Sequence, residues 1–180
     1  MVRETELSAA NSPSAACDTD DVKRAVVTCV LAAAAAATSM APAAVAARAH
    51  SFKATYTGHG TGEVTATGAA GRAAASGSGN VIGPSTLSGA ATGVVQGATC
   101  VAFTGKAKLK GSGGSLVLKA NGARACTSGQ AGANVSFSGT AKVTGGTRKF
   151  AGARGTLSFT GVYVKQTGSV TISFKGRVTY

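Results

Sequence analysis

Carboxylate side chains are almost missing from this chain of 180 residues, which has six Asp and Glu against 18 Lys and Arg. Glu63 is the only acidic residue after Asp21. Glycoside hydrolysis by two carboxylates and catalytic triads with an orienting Asp need acids that this part of the chain lacks. Oxygen cages for Ca²⁺ or Mg²⁺ are excluded for the same reason.

Metal-ligating and proton-transferring side chains are also scarce, with two His and four Cys. Because no Cys-x-x-Cys or His-x-x-x-His spacing occurs, the sequence predicts no zinc site and no other cofactor. His59 in "GHG" is interpreted as a turn residue, with a ligand or base as the alternative. The sequence predicts a hairpin around residues 58–60, in which Thr55 opposes Glu63 and Lys53 is the diagonal neighbour of Glu63. Glu63 is therefore interpreted as an exterior charge near Lys53, and a carboxylate base is the alternative. We therefore assign no catalytic residue and favour a protein that is not an enzyme.

The chain lacks an apolar run long enough to span a bilayer. Its longest, at residues 25–37, follows Lys23 and Arg24 and precedes small residues that suit cleavage after Ala47 or Ala49. Residues 22–49 are therefore interpreted as a secretory signal peptide, and residues 50–180 as a single secreted, extracellular domain without a transmembrane segment. Residues 1–21 are interpreted as an extension that is disordered or arises from a mis-assigned start, with Val22 as the true start.

Two cysteines, Cys100 and Cys126, fall in the predicted secreted domain. An oxidising compartment favours a disulfide between them. The dipeptide Asn121-Gly122 favours instead a two-residue hairpin that places Cys126 near Val117, too far from Cys100 for a bond. We prefer the disulfide, with residues 121–132 as a loop that folds back toward Cys100.

No helical period of 3.6 residues occurs after Ser51, whereas alternation with period 2 recurs between clusters of Gly, Ser, Thr and Asn. The clearest alternating segments are 101–109, 135–143, 157–163 and 170–180, and weaker ones lie at 52–56, 64–68 and 87–95. With one more strand before the Asn-Gly pair, the count is about eight. The sequence therefore predicts an all-β fold, an antiparallel barrel of about eight strands, with a two-sheet sandwich as the alternative.

Four of these segments share the unit Phe-x-Gly-x-apolar: "FTGKA" at 103, "FSGTA" at 137, "FTGVY" at 159 and "FKGRV" at 174. Side chains two residues apart lie on one face of a strand, so each Phe is followed on the inner face by a bare glycine. Glycines at such positions let a sheet bend, and a neighbouring aromatic ring can cover the exposed backbone. The unit therefore favours a closed or strongly coiled sheet.

The stretch "GGTRKFAGARG", residues 145–155, connects two of the predicted strands. It lacks the spacing of a nucleotide-binding loop. Residues 137–161 resemble the signature of the allene oxide cyclase and dirigent-like β-barrel superfamily, with Arg148 where that family usually has glycine. The resemblance implies an eight-stranded antiparallel barrel with Phe150 tucked against one mouth. It implies no activity, because the acidic residues and the asparagine of the plant enzymes have no counterpart here.

Cations dominate the chain after Ala47, with 15 Lys and Arg against Glu63. Those on strands alternate opposite to the apolar side chains, so they face solvent. A turn at residues 111–114 places Lys106 opposite Lys119 and Lys108 opposite Val117. A charge of one sign favours anionic partners, with a solvated surface that resists aggregation as the alternative. The candidate anion-binding residues are Lys106, Lys108, Lys110, Lys119, Arg148, Lys149 and Arg154.

These observations give three hypotheses of function. The first is a non-catalytic secreted barrel that binds anionic envelope or extracellular polymers weakly and in a salt-sensitive manner. Sequence-specific nucleic-acid binding is not expected, because the strand aromatics face inward. The second hypothesis is a cavity for a small apolar ligand, with cyclase or isomerase chemistry as a bolder form, since Gly89, Ala91 and Gly93 leave space inside. The third is a purely structural role.

Overall fold

The computed structural model describes residues 47–128 and 133–180. Its strands form one closed antiparallel barrel, so the predicted fold is confirmed and the two-sheet sandwich is wrong. The predicted extension and signal peptide lie outside the described residues, except for residues 47–49, the last of which begins the first strand. No helix of the described residues is long and apolar enough to cross a membrane. The strands are β1 (Ala49–Val64), β2 (Ala69–Gly79), β3 (Gly83–Gln96), β4 (Cys100–Gly111), β5 (Gly114–Ser128), β6 (Asn134–Arg148), β7 (Arg154–Val164) and β8 (Ser169–Thr179).

Neighbouring strands are staggered around the barrel. Ser51 of β1 pairs with a residue of β8, which in turn pairs with a residue of β7, and this series of partners continues around the barrel. The series returns to β1 at Thr61, ten residues after Ser51. Such a stagger accompanies strands tilted by roughly 35–45° to the barrel axis. Because successive side chains point to opposite faces, closure gives every strand one face toward the lumen and one toward solvent.

The barrel is filled at one end, which we call the closed end and which contains the β2–β3, β4–β5 and β6–β7 connections. Phe150, in the β6–β7 connection, is 1% exposed and packs edge-on against Tyr180 with ring centroids 5.0 Å apart. Phe150 thus occupies the position that the family resemblance implies. Other side chains buried in the core of the barrel are Phe52, Tyr56, Leu109, Leu116, Leu157 and Val178.

The Phe-x-Gly units fit together across strands. Phe137 on β6 pairs with Gly161 on β7, and Gly139 on β6 pairs with Phe159 on β7. A Cβ at Gly161 would overlap the ring of Phe137 and the carbonyl of Thr171, and one at Gly139 would lie 3.1 Å from the ring of Phe159. Each ring therefore covers the bare backbone of the glycine on the next strand, which is the packing that the repeated unit favours.

Strand β1 is longer than the sequence suggests. It pairs with β8 over its first part and with β2 over its second, because the stagger offsets its two neighbours. The predicted hairpin around residues 58–60 is therefore wrong. His59 is an exposed strand residue between Ala74 and Ser169, and Glu63 opposes Ala70 instead of Thr55.

Strand β2 does not coincide with any predicted segment. The weak alternation at 64–68 belongs to the end of β1 and the following turn. The true strand, Ala69–Gly79, contains only Ala, Gly, Ser and Arg72. These residues include no β-branched or aromatic side chain, so local preference does not indicate a strand, and pairing with β1 and β3 forms it.

A β-bulge in β5 resolves the conflict around Cys126. Phe103 pairs with Ala123 and Gly105 with Ala120, so Asn121 and Gly122 together oppose one residue of β4. The predicted Asn121-Gly122 hairpin is wrong, because both residues belong to β5. The predicted loop at residues 121–132 is wrong for residues 121–128, which continue this strand. The inserted residue puts Cys126 in register with Cys100, and the predicted disulfide is confirmed with a Cα–Cα distance of 4.1 Å.

Replacing Gly161 with alanine tests the packing of rings on glycine. We expect Gly161→Ala to destabilise the barrel by about 1–3 kcal/mol, because the ring of Phe137 and a strand backbone must move. Gly62→Ala is the matched control, since the nearest atom to its Cβ, in Tyr163, is 3.8 Å away. Urea unfolding of both variants measures the difference, and equal stabilities would contradict the packing argument.

Tyr56 predicts how stability depends on alkaline pH. Its hydroxyl lies 2.9 Å from the Ser85 hydroxyl, and burial raises the pKa of Tyr56 above 10.0 although this hydrogen bond opposes the rise. Above pH 10 the unfolded chain releases a proton that the folded protein retains, so the stabilisation is complete below pH 10 and is lost as the pH rises through the raised pKa. The free energy of unfolding of the parent protein should therefore fall relative to that of Tyr56→Phe as the pH rises above about 10. Parallel pH profiles for the two proteins would show that Tyr56 does not titrate in this way.

Candidate functional site

The other end of the barrel, which we call the open end, is hollow. It contains the β1–β2, β3–β4, β5–β6 and β7–β8 connections, and the lumen below it holds a cavity of about 300 Å³. Thr99, Thr127 and Lys165 lie at the rim of this cavity. The barrel therefore has a packed half and an accessible half within one continuous sheet.

One side of the cavity is formed by residues with little or no side chain, mainly on β1 to β4. The predicted small positions Gly89, Ala91 and Gly93 on β3 are confirmed as lining residues. Small residues of β1 and β2 also line the cavity, so three adjacent strands contribute few side-chain atoms to it. We call this surface the small-residue wall; it includes Gly62, Gly71, Ala73, Gly89, Ala91 and Gly93.

The opposite side of the cavity carries large side chains from β6, β7 and β8. Phe159 is at its centre, with ring centroids 6.4 Å from Phe137, 6.1 Å from Phe174 and 6.3 Å from Phe103 of β4. Tyr163 lies beside the first residues of β8, within 3.8 Å of the positions that a Cβ at Gly60 or Gly62 would occupy. We call this side the aromatic wall; it includes Val135, Phe137, Phe159, Tyr163, Ile172 and Phe174.

The walls offer little acid–base chemistry. The register places the strand cations outside, and the hydroxyl groups of Thr127 and Tyr163 are the polar groups that alternation directs inward near the rim. Glu63 lies at the rim on the exposed face of β1, and His59 is exposed on the outside. In residues 47–128 and 133–180, no group of three His, Cys, Asp or Glu side chains could hold a metal ion. The lining of the cavity is therefore mainly apolar.

Four of the predicted anion-binding lysines, Lys106, Lys108, Lys110 and Lys119, are exposed on the outside of β4 and β5. Lys106 opposes Lys119 and Lys108 opposes Val117, as the sequence predicts, and Lys110 opposes Ser115. On the far side of β5, Lys119 also opposes Lys142. The structure thus brings a third lysine into register with two of the predicted set, a neighbour that sequence spacing alone does not identify.

The three cations of residues 145–155 are at the closed end, and two of them have structural contacts. Arg154 donates from Nη1 to the carbonyl oxygens of Thr144 at 2.8 Å and Ala153 at 2.9 Å. Lys149 Nζ lies 5.5 Å from the ring centroid of Phe150 and 5.8 Å from that of Tyr180, distances that favour cation–π attraction.

Arg148 differs from its two neighbours. It has a φ of 54°, a conformation that favours glycine, and it pairs with Gly114 beside the turn that follows Lys110. The stretch is therefore first a strand connection that plugs the barrel. Its cations do not join the row of lysines on β4, β5 and β6.

The disulfide lies at the open end. Cys100 and Cys126 are flanked by Thr99, Val101, Ala125 and Thr127, all of which line the cavity. The two cysteines are in directly opposed positions on β4 and β5, beyond the bulge that interrupts this pairing. The bond therefore holds together the part of the rim where the β4–β5 ladder is irregular.

Removing the disulfide should loosen this rim and lower stability. For a bond between residues separated by 26 positions, we expect the double variant Cys100→Ala/Cys126→Ala to lose about 3–4 kcal/mol in free energy of unfolding. Urea unfolding measures the loss, and reduced parent protein should match the double variant. Detection of free thiols at Cys100 and Cys126 themselves in the folded parent protein would contradict the bond.

No protein-family model matches this chain, and no curated protein or solved structure matches it. The observations that bear on function are therefore the cavity with its two walls, the disulfide at its rim and the positions of the exterior cations.

Proposed function

We propose that this protein is a non-catalytic, secreted barrel that binds a small apolar ligand in the open half of its lumen. The observation that carries the proposal is the cavity of about 300 Å³ between the small-residue wall and the aromatic wall. This volume is at the lower end of the range for small-molecule sites. The disulfide is consistent with an extracellular location.

The contrast between the two halves supports a binding role. The closed end shows that this sheet can be packed completely, with Phe52, Leu116 and Val178 each 0% exposed. Protein interiors are normally close-packed, and an unfilled space loses the dispersion contacts that its lining could make. A ligand would restore those contacts. The hollow half follows from particular Gly and Ala residues and is not a general consequence of an eight-stranded barrel.

The chemistry of the walls defines the ligand. A polar group placed between Ala91 and Phe159 would lose its water without gaining a hydrogen-bond partner, which costs free energy. The buried part of the ligand is therefore apolar, and polar atoms belong at the rim near Thr127 or Tyr163. Among the residues that the structure describes, no acid–base pair faces into the lumen, so the proposal is binding or transport instead of cyclase or isomerase chemistry.

A neutral fluorescent probe and two adjacent substitutions test this proposal. N-phenyl-1-naphthylamine should bind the parent protein and raise its unfolding free energy by about 2.7 kcal/mol at a concentration 100 times Kd. Ala91→Leu fills the cavity and should weaken binding at least about tenfold, a loss of about 1.4 kcal/mol. Ala90→Leu is the matched control, because residue 90 is on the same strand and exposed to solvent.

Two results would refute the cavity proposal: no binding of the probe by the parent protein, or equal loss of binding in Ala91→Leu and Ala90→Leu. Mass spectrometry of an organic extract of the secreted protein then identifies the natural ligand. The hypothesis of binding to anionic polymers concerns the outer surface and is independent of this test.

A further inference from the structure

The exterior cations of the barrel are arranged along a line of paired residues. Lys106 on β4, Lys119 on β5 and Lys142 on β6 oppose one another in turn. Beyond Lys106, the next paired residues are Ala90 on β3 and then Arg72 on β2. Beyond Lys142, they are Thr156 on β7 and then Arg177 on β8. We call these five exposed residues the cation row; its members are Arg72, Lys106, Lys119, Lys142 and Arg177.

The spacing within the cation row is short and regular. Adjacent strands lie about 4.7–4.9 Å apart, so the three lysines repeat at this distance across the sheet. Lysines along β4, such as Lys106 and Lys108, are about 6.6–6.8 Å apart. The row therefore presents the densest regular series of positive charge on the barrel wall.

Like charges that face each other destabilise a sheet unless something neutralises them. Glu63, the only carboxylate side chain after Asp21, is at the rim, where it opposes Ala70 and is itself the diagonal neighbour of Arg72. The three lysines in the middle of the row have no acidic residue opposite them. Among the described residues their ammonium groups make no hydrogen bond, in contrast to the guanidinium of Arg154. They are free to contact an external anion.

The surroundings of the row define the shape of that anion. The row is oblique on a convex cylinder, so a stiff rod can contact only part of it, whereas a flexible chain can follow it. The residues between and beside the cations, Ala90, Thr104, Thr140 and Thr156, are small and exposed, and they allow a chain to lie against the sheet. Exterior aromatic side chains that could stack on bases are missing from these strands, which disfavours single-stranded nucleic acid.

From this geometry we infer that the cation row binds an acidic polysaccharide that carries one carboxylate on each sugar, a polyuronate. A polyuronate carries a carboxylate on every pyranose residue, and rotation about its glycosidic bonds lets several of these carboxylates turn toward the lysines and pair with them. The flanking threonine hydroxyl groups can hydrogen-bond the sugar hydroxyls. Binding releases counterions, so affinity falls as salt concentration rises. The inference does not rest on the proposed cavity function.

Two triple variants with the same net charge test the row. Lys106→Gln/Lys119→Gln/Lys142→Gln removes its centre, and Lys53→Gln/Arg124→Gln/Lys175→Gln removes three exposed cations that lie off it and outside the predicted anion-binding set. With polygalacturonate as the probe, the row variant should bind at least about tenfold more weakly, and its plot of log Kd against log salt should flatten by about 2. The off-row variant should lose less than about threefold.

Further measurements separate the row from general basicity and from loss of folding. Lys106→Arg/Lys119→Arg/Lys142→Arg keeps the charge of the row and should retain affinity for polygalacturonate. The Gln variants should unfold at the temperature of the parent protein or above it, because they remove like-charge pairs. Binding of the naphthylamine probe should be unchanged in all three, which keeps this test distinct from that of the cavity.

Equal loss of affinity in the two Gln variants would overturn the inference and leave only diffuse charge attraction. The parent protein could instead bind inorganic polyphosphate or duplex DNA more tightly than polygalacturonate, and the row variant could lose that binding as well. This result would overturn the assignment of a polyuronate.

Discussion

Closure of the sheet is the constraint on which the other features of this protein depend. Once β8 pairs with β1, the alternation of side chains divides each strand between lumen and solvent, and the stagger of ten residues determines which side chains meet across strands. The pairing of Phe137 with Gly161 and of Gly139 with Phe159 follows from this register. Curvature and packing are therefore linked, because the same glycines that let the sheet bend make room for the rings that fill it.

The lumen is divided into two parts by the size of its side chains and not by a change of architecture. At the closed end, Phe150 enters from a connection and Tyr56 is satisfied by Ser85, so the interior is packed and its hydroxyl groups are paired. Toward the open end, alanine and glycine replace large residues on one side of the same strands. The packed half therefore provides the core, and the other half contains the cavity.

The outer surface follows the same geometry with the opposite chemistry. Charges that are scattered in the sequence, such as Arg72, Lys119 and Arg177, fall on one line because the pairing register connects them. Repulsion along this line reduces stability, while the disulfide between Cys100 and Cys126 and the closure of the barrel offset it. A ligand inside and a polyanion outside would occupy separate surfaces, so the two proposed interactions need not compete.

Local pattern determined much of this fold. Alternation identified the inner face of β4, β6, β7 and β8, and the Phe-x-Gly units indicated a curved sheet, because both depend on residue type and near neighbours alone. Strand β2, the uninterrupted course of β1 through His59 and the bulge at Gly122 were decided only by the tertiary structure. In these segments, weak local preferences yield to pairing partners that are distant in sequence. The volume of the cavity and the alignment of Lys142 with Lys119 likewise depend on the register between strands, which no single segment of sequence contains.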